Sequence, residues 1–120
     1  MYNDQSNALG EFIFQSKYAR YNSNLKRKET FEESVDRILQ MHLKHLKDKY
    51  PEVLNNAEFN NDLLEAFEEY KNKNVYGSQR ALQFGGDPIL RKNEKIFNCS
   101  YTYIDDLERF KQIEYLLLCG

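Results

Sequence analysis

The segment of residues 96–104 constrains the fold of this chain more than any other stretch. β-Branched and aromatic residues alternate with small polar ones along it, a pattern typical of a β-strand. A period of two places Cys99 on the same face as Phe97 and Tyr101, with Asn98 and Ser100 on the opposite face. The pattern therefore predicts a short strand around residues 96–103 that carries one of the chain's two cysteines.

This predicted strand is flanked by a loop and a helix. Residues 79–86 resemble a loop that ends in the pair Gly85 and Gly86. The glycines either allow the backbone to approach a ligand closely or form an ordinary turn, and the sequence leaves both open. Downstream, apolar residues at helical spacing predict an amphipathic helix over 106–118, with Asp105 as its N-cap.

The rest of the chain is predicted to be helical. Thr30 and Glu33 form a capping-box pattern that starts a helix over 31–47, which ends before Pro51. A third helix is predicted over 62–72, capped by the polar run 60–62. Residues 9–21 fit a helix or an irregular segment, and Asn22-Ser23-Asn24 indicates a turn.

Composition and charge exclude several classes of protein. The 120 residues are enough for one domain, and 41% hydrophobic residues are typical of a globular chain. A net charge of −2 argues against a dedicated nucleic-acid binder. We expect no membrane contact, because no apolar run is long enough to span a bilayer and no signal peptide is visible. Two cysteines favour a cytoplasmic chain with free thiols.

Two polar clusters have a functional and an ordinary interpretation. The basic run Lys26-Arg27-Lys28 would suit a phosphate contact, but a solvated turn is the commoner outcome for such a run. His42 and His45 are spaced to share a metal ion, yet no further ligand pattern accompanies them. We therefore expect His42 to be a half-buried packing residue.

Cys99 itself has three interpretations. It is a buried structural residue, a metal ligand, or a redox thiol that needs a second cysteine within reach. Spacing alone favours the structural role, since Cys119 is the chain's only other thiol.

Several motifs in order resemble the large subunit of ribonucleotide reductases, most closely the adenosylcobalamin-dependent branch. The first is the run 80–86, Arg-Ala-Leu-Gln-Phe-Gly-Gly, followed by Asn93, by Phe-Asn-Cys-Ser at 97–100, and by a helix that ends Leu-Leu-Leu-Cys-Gly. An N-terminal part agrees: Lys-Tyr-Ala-Arg-Tyr at 17–21, then a helix start at 26–35 in which Phe31 replaces the family's tryptophan. The resemblance covers the chain from about residue 12 to 120.

The resemblance implies a role for particular residues. Cys99 matches one of the two cysteines that reduce the substrate in a thiyl-radical mechanism, whereas the second cysteine of the pair and the radical cysteine would lie further downstream. Cys119 falls at the head of a glycine-rich turn and would be structural. Ser78 would contact substrate phosphate, and Asn98 and Ser100 would contact the rest of the substrate.

The resemblance also implies a fold class, a cofactor and partners. The chain would be mainly α with a short strand, a single incomplete domain: residues 1–75 form a helical N-terminal region and residues 76–120 begin a ten-stranded α/β barrel. The cofactor would be adenosylcobalamin, whose site lies mostly outside this chain. Partners would be a ribonucleoside di- or triphosphate, a dithiol reductant such as thioredoxin, and the remainder of the reductase after Gly120.

Such a chain would serve deoxyribonucleotide synthesis for DNA replication and be inactive alone. It would be a fragment from a split gene, an exon, or a chain interrupted by an intein. Two other functions stay open. One is a small helical interaction module that binds through the apolar end of its last helix. The other is an independent thiol-redox protein, which would need the Cα atoms of Cys99 and Cys119 within about 7 Å.

Overall fold

The computed structural model describes residues 4–97 and 99–119, and it is mainly helical, as predicted. The α-helices are α1 Asp4–Lys17, α2 Phe31–Lys49, α3 Ala57–Lys71, α4 Gln79–Phe84, α5 Asp87–Arg91 and α6 Glu108–Cys119. Two strands, β1 Tyr21–Asn22 and β2 Arg27–Lys28, pair antiparallel with Tyr21 opposite Lys28. Short 3₁₀ turns cover Pro51–Asn55 and Asn93–Ile96. Among the described residues, none of the helices combines the length and apolarity needed to cross a bilayer.

Helix α2 is the central element, and its predicted start is confirmed. The Thr30 hydroxyl accepts the Glu33 amide, and the Glu33 carboxylate accepts the Thr30 amide, which completes the capping box. The helix runs two residues beyond the predicted end and stops before Pro51. Its buried side chains form one stripe: Ser34, Val35, Ile38, Leu39 and Met41.

Helices α3, α4 and α5 pack around this stripe and close the core. Side chains from all four helices contribute to it: Val35, Ile38, Met41, Tyr70, Ala81, Leu82 and Ile89. Helix α1 is attached mainly at its C-terminal end, where Phe14 is buried and its ring meets Phe31 edge-on at 5.5 Å.

The predicted start of α3 at residue 62 is wrong. The helix begins at Ala57, because the Asn56 side chain accepts the Phe59 amide and caps it there. Asn60, which the sequence suggested as part of the cap, lies inside the helix and donates its side-chain amide to the Leu54 carbonyl at 2.7 Å. At α6 the first amides, those of Glu108 and Arg109, are accepted by Asp106 rather than by the predicted Asp105.

The predicted loop over 79–86 is also wrong, since residues 79–84 form α4. Ala81 and Leu82 are buried in the core, so tertiary packing stabilises a helix too short to form alone.

The prediction of a strand around residues 96–103 is wrong for the described residues of that segment. Asn93–Ile96 form a 3₁₀ turn, and residues 97 and 99–107 contain neither strand nor helix. A strand must pair its backbone amides and carbonyls with a neighbour. The described residues offer none, because the only sheet found in them is the β1–β2 hairpin.

The turn predicted at residues 22–24 is confirmed, and it connects β1 to β2. The Asn22 side chain accepts the amides of Asn24 and Leu25. In the basic run that follows, Arg27 forms two hydrogen bonds to Glu33, at 2.6 and 2.8 Å, and Lys28 donates to the Gln15 carbonyl. These two side chains therefore make contacts within the chain, which disfavours the phosphate interpretation.

The His42 ring meets Phe67 edge-on between α2 and α3, with ring centroids 6.1 Å apart, which fits a packing contact. The residue is nevertheless exposed overall, so the expectation that it is half-buried is wrong. Burial lowers the pKa of His42, and the nearby charge of His45 lowers it further. The unfolded chain thus binds this proton at a higher pH than the folded one. The stability that neutral His42 contributes is present above the ordinary histidine range and is lost as the pH falls.

We therefore expect the free energy of unfolding to decrease on going from about pH 7.5 to about pH 5.5, and His42→Gln to remove part of that decrease. Urea unfolding at the two pH values measures it. The matched variant His45→Gln should keep most of the pH dependence of the wild type, because burial is the larger cause of the lowered pKa of His42. Equal pH dependence in the wild type and the His42 variant would contradict this assignment.

Candidate functional site

Cys99 is an exposed free thiol that lines a small cavity in front of α6. The cavity measures about 330 Å³. One wall holds Phe97, Ser100 and Tyr101 and the other holds Leu116 and Leu117 of α6. The thiol therefore lies beside an apolar helix face and is accessible to another molecule.

The chemistry available at this cavity is limited to that thiol. Among the described lining residues there is no carboxylate, imidazole or cation. An accessible thiol can exchange with a disulfide, but it needs a second thiol in order to give up two electrons by closing a disulfide of its own. The side chain of Cys119 lies outside the described residues, so the predicted absence of a Cys99–Cys119 disulfide stays a prediction.

The structure brings together only part of the predicted substrate site. Ser100 lines the cavity beside Cys99, whereas Ser78 is not among its described lining residues. Ser78 is exposed at the start of α4, where its backbone carbonyl accepts the Ala81 amide at 3.0 Å and its hydroxyl makes no capping bond. Asn98 lies outside the described residues. The proposed phosphate and ribose contacts of these side chains stay predictions.

A largely buried ion pair, which no local sequence pattern predicted, holds the motif-bearing segments together. The Arg37 guanidinium binds the Glu29 carboxylate through Nε and Nη2, both at 2.9 Å, and each side chain is 15% exposed. Arg37 also donates to the carbonyls of Leu82 and Gly85 at 2.8 Å. Burial alone would raise the pKa of Glu29, but hydrogen bonds from Arg37 and Ser34 outweigh it and lower that pKa.

The same cluster extends to the N-terminal motif. The Tyr18 hydroxyl donates to Gln79, 61 positions away, at 3.1 Å. Arg20 donates through Nε and Nη2 to the Gln83 carbonyl, at 3.3 and 3.1 Å. We refer to Tyr18, Arg20, Glu29, Arg37 and the segment 79–86 as the motif cluster. It joins the two parts of the chain that carry the family resemblance.

A signal for this cluster was present in the sequence. Arg37 follows Ser34 by three positions and precedes Met41 by four, so it lies on the buried stripe of α2. A charged residue on a buried helix face is rarely tolerated unless it is paired. The partner Glu29 could not be identified, because it precedes the helix and reaches Arg37 only through the hairpin.

The pair Gly85 and Gly86 forms a turn whose backbone requires glycine at both positions. A Cβ atom on Gly85 would lie 2.4 Å from the Ala81 carbonyl oxygen and 3.0 Å from Ile38. Gly86 has φ 100° and ψ −150°, a region that only glycine adopts readily. Both glycines are thus explained by the close contact between α4, α2 and the start of α5.

Gly86→Ala should therefore lower the free energy of unfolding by about 1–3 kcal/mol, because alanine is strained at this φ and ψ. Gly10→Ala is a matched control. Gly10 lies within α1 with nothing within 4 Å of an added Cβ, so alanine there should stabilise by roughly 0.5–1 kcal/mol. Chemical denaturation of both variants tests the contrast. If Gly86→Ala left the free energy of unfolding unchanged, the turn would have another conformation.

No metal-binding group in the described part of the chain identifies an adenosylcobalamin site. Among the side chains described there, no three or more of His, Cys, Asp and Glu are arranged to hold a metal ion. The cofactor is therefore an implication of the resemblance alone, and no reaction step in this chain is derived through it.

An uncovered apolar surface extends from the Cys99 segment along α6, as the sequence predicted for the last helix. Tyr101 and Tyr103 are 94% and 90% exposed. The other large apolar side chains exposed here are Phe97, Ile104, Leu107, Phe110, Tyr115, Leu116, Leu117 and Leu118. Clusters of exposed apolar side chains are typical of interaction surfaces, ligand grooves and aggregation-prone chains.

In comparisons with known proteins, no family model, no curated protein and no solved structure matched this chain.

Proposed function

We propose that this chain is the N-terminal part of an adenosylcobalamin-dependent ribonucleotide reductase, in which Cys99 is one of the two cysteines that reduce the substrate. The observation that carries the proposal is the motif cluster. Two segments that resemble the family lie about sixty positions apart and meet directly where Arg20 donates to the Gln83 carbonyl. Arg37, which is not part of the quoted motifs, links Glu29 to Leu82 in the same hydrogen-bonded unit. Coincidental matches scattered along a chain would have no reason to contact each other.

The position of Cys99 also supports the proposal. The thiol is exposed, it follows the motif cluster in the chain after α5 and the 3₁₀ turn Asn93–Ile96, and it borders the uncovered apolar surface. In the proposed enzyme the remainder of the chain covers that surface, and residues 96–104 pair with its strands as the first strand of the α/β barrel. Residues 1–75 are then the helical N-terminal region.

In the proposed reaction Cys99 acts as a reductant. The 2′ carbon–oxygen bond of the ribose breaks and the oxygen leaves as water. Cys99 and a downstream cysteine together give up two electrons and two protons, and their sulfur atoms join in a disulfide. An external dithiol such as thioredoxin then reduces that disulfide by exchange. Adenosylcobalamin, when bound, would supply the radical that this reduction requires.

The remaining assignments belong to the same proposal. The substrate is a ribonucleoside di- or triphosphate, with Ser78 contacting its phosphate and Asn98 and Ser100 contacting the ribose region. The enzyme is cytoplasmic and provides deoxyribonucleotides. Because Ser78 does not line the cavity of Cys99 in the described residues, the substrate site would have to be completed by the downstream barrel.

Completing the chain tests the proposal. A continuation encoded after Gly120 would be fused or spliced to this chain, and the product assayed with adenosylcobalamin, a ribonucleotide and a dithiol. We expect deoxyribonucleotide to form. A completed protein that folds and binds nucleotide yet forms none would overturn the proposal, as would a reading frame without further cysteines or a glycine-rich turn.

A second candidate, an interaction module without catalysis, is favoured by the exposed face of α6 alone. Fully burying a Leu or Phe side chain contributes roughly 1.5–3 kcal/mol, so this face should drive association. Sedimentation of the isolated chain should show concentration-dependent assembly. Replacing Leu117 and Leu118 by serine should restore a monomer in either case, whereas reductase activity of the completed chain distinguishes the two candidates.

A further inference from the structure

A groove that borders the motif cluster carries an excess of positive charge. It lies between α2 and the start of α5, and measures about 320 Å³. Arg20, Arg37 and Lys44 line it, together with Gly86 and Asp87. It shares no lining residue with the cavity of Cys99, so it is a separate feature.

The cations of this groove are incompletely neutralised. Glu29 is already bound by Arg37 through both carboxylate oxygens. Arg20 uses Nε and Nη2 on the Gln83 carbonyl, and none of the described residues accepts a hydrogen bond from its Nη1. Burial and the charge of Arg37 lower the pKa of Arg20, although Glu29 and Asp87 partly oppose this. One guanidinium therefore lacks a full counter-charge, in a chain whose net charge is −2.

Lys44 and Asp87 form the second part of the groove. Their side chains are 3.5 Å apart and 59% and 68% exposed, which makes this a weak and easily replaced ion pair. Gly86 has no side chain to cover Arg20: a Cβ atom there would lie 3.7 Å from Arg20 Nη1. Arg20 and Lys44 thus line the same groove, with Gly86 and Asp87 at the start of α5 beside them.

We propose that this groove binds a phosphate group, held between Arg20 Nη1 and Lys44 Nζ. A guanidinium and an ammonium are the side chains that bind phosphate most strongly, through charge-assisted hydrogen bonds. A carboxylate ligand would only take the place of Asp87, whereas a phosphate dianion neutralises Lys44 and Arg20 together. The phosphate is either a free ion or the phosphate end of a nucleotide. This inference does not depend on the proposed reductase function.

Pyrophosphate is the probe that tests the site, titrated into the full chain and followed by amide chemical shifts and by calorimetry. We expect saturable binding with shifts at Arg20, Lys44 and Gly86. Lys44→Gln should weaken it roughly tenfold, about the effect of one charge-assisted contact. Asp87→Asn should strengthen it several-fold, because it removes the competing carboxylate.

Two control variants distinguish a defined site from general attraction. Lys47→Gln removes an exposed charge from the same helix, and Asp62→Asn removes one from α3, both outside the groove lining. Neither should change the affinity. No saturable binding at millimolar pyrophosphate, an equal loss in the Lys44 and Lys47 variants, or no gain from Asp87→Asn would each overturn the proposal.

The source of the phosphate is distinguished by comparing inorganic pyrophosphate with a nucleoside diphosphate. Tighter binding of the nucleotide, with additional shifts on residues that border the groove, would assign the phosphate end of a nucleotide as the ligand. Equal binding would assign the free anion. Both results support the phosphate site, and the variants above decide whether that site exists.

Discussion

Replacing Cys99 by serine in the completed reductase should reduce dithiol-dependent turnover to background. Serine keeps the size of the side chain and a hydrogen-bond donor, so the chain should still fold and bind nucleotide. It cannot supply the reducing equivalents that a thiol releases when it closes a disulfide. The measurement is deoxyribonucleotide formation over many turnovers with a dithiol, alongside nucleotide binding by equilibrium dialysis.

Cys119→Ser is the matched control for this experiment, since it removes the chain's other thiol. If Cys119 only packs or turns, as the resemblance implies, the variant should retain measurable activity. The contrast between the two substitutions is the informative result. Wild-type turnover in the Cys99 variant would remove Cys99 from the reaction and leave the resemblance as evidence for fold alone.

Arg37→Met should lower the free energy of unfolding by about 2–4 kcal/mol. Breaking a buried ion pair leaves the partner charge without compensation, which typically costs 3–5 kcal/mol, and the residual 15% exposure of both side chains reduces the expected value. The variant also loses the hydrogen bonds to the carbonyls of Leu82 and Gly85. Denaturant unfolding measures the change, and amide exchange should show α4 losing protection.

Arg27→Met provides a control of the same chemistry in a different environment. Arg27 and Glu33 also form a doubly hydrogen-bonded pair, but their side chains are 46% and 37% exposed. Exposed pairs are screened by water and contribute little to stability, so this variant should be nearly neutral. If both substitutions lowered the free energy of unfolding equally, burial would not explain the contribution of the Arg37–Glu29 pair to stability.

The pH dependence of the Arg37 variant follows from the lowered pKa of Glu29. A glutamate whose pKa is lower in the folded chain contributes stability above its ordinary range, and this contribution is lost as the pH falls through that range and below it. The wild type should therefore lose stability in acid more steeply than Arg37→Met does. Parallel acid unfolding curves would contradict the assigned cause.

Local sequence determined the central helix of this protein. Thr30 and Glu33 lie three positions apart and cap α2 through their own side chains and backbone, so no distant contact is needed to start it. The apolar spacing behind them identifies the buried face, because helical periodicity is a property of neighbouring residues. The turn at Asn22 is equally local, since its side chain binds amides two and three positions ahead.

Tertiary contacts determined the structure of the elements that local sequence patterns did not predict correctly. Helix α4 forms because Ala81 and Leu82 are buried against α2, and a helix this short gains too little from its own hydrogen bonds. Residues 96–104 have the alternation of a strand, but a strand exists only where a neighbour pairs with it. The start of α3 depended on which of several asparagines is free to cap, and Asn60 is engaged with Leu54.

The candidate site was likewise predictable from the sequence only in part. The thiol of Cys99 and the motifs around it are visible in the sequence, because residue types are enough to suggest that chemistry. The motif cluster required the fold, since Arg37 binds Glu29 through the hairpin and Gly85 through α4. The role of Gly86 required it too, because its φ of 100° follows from how α5 leaves α4. Long-range geometry of this kind is set by packing between distant segments, which no local pattern encodes.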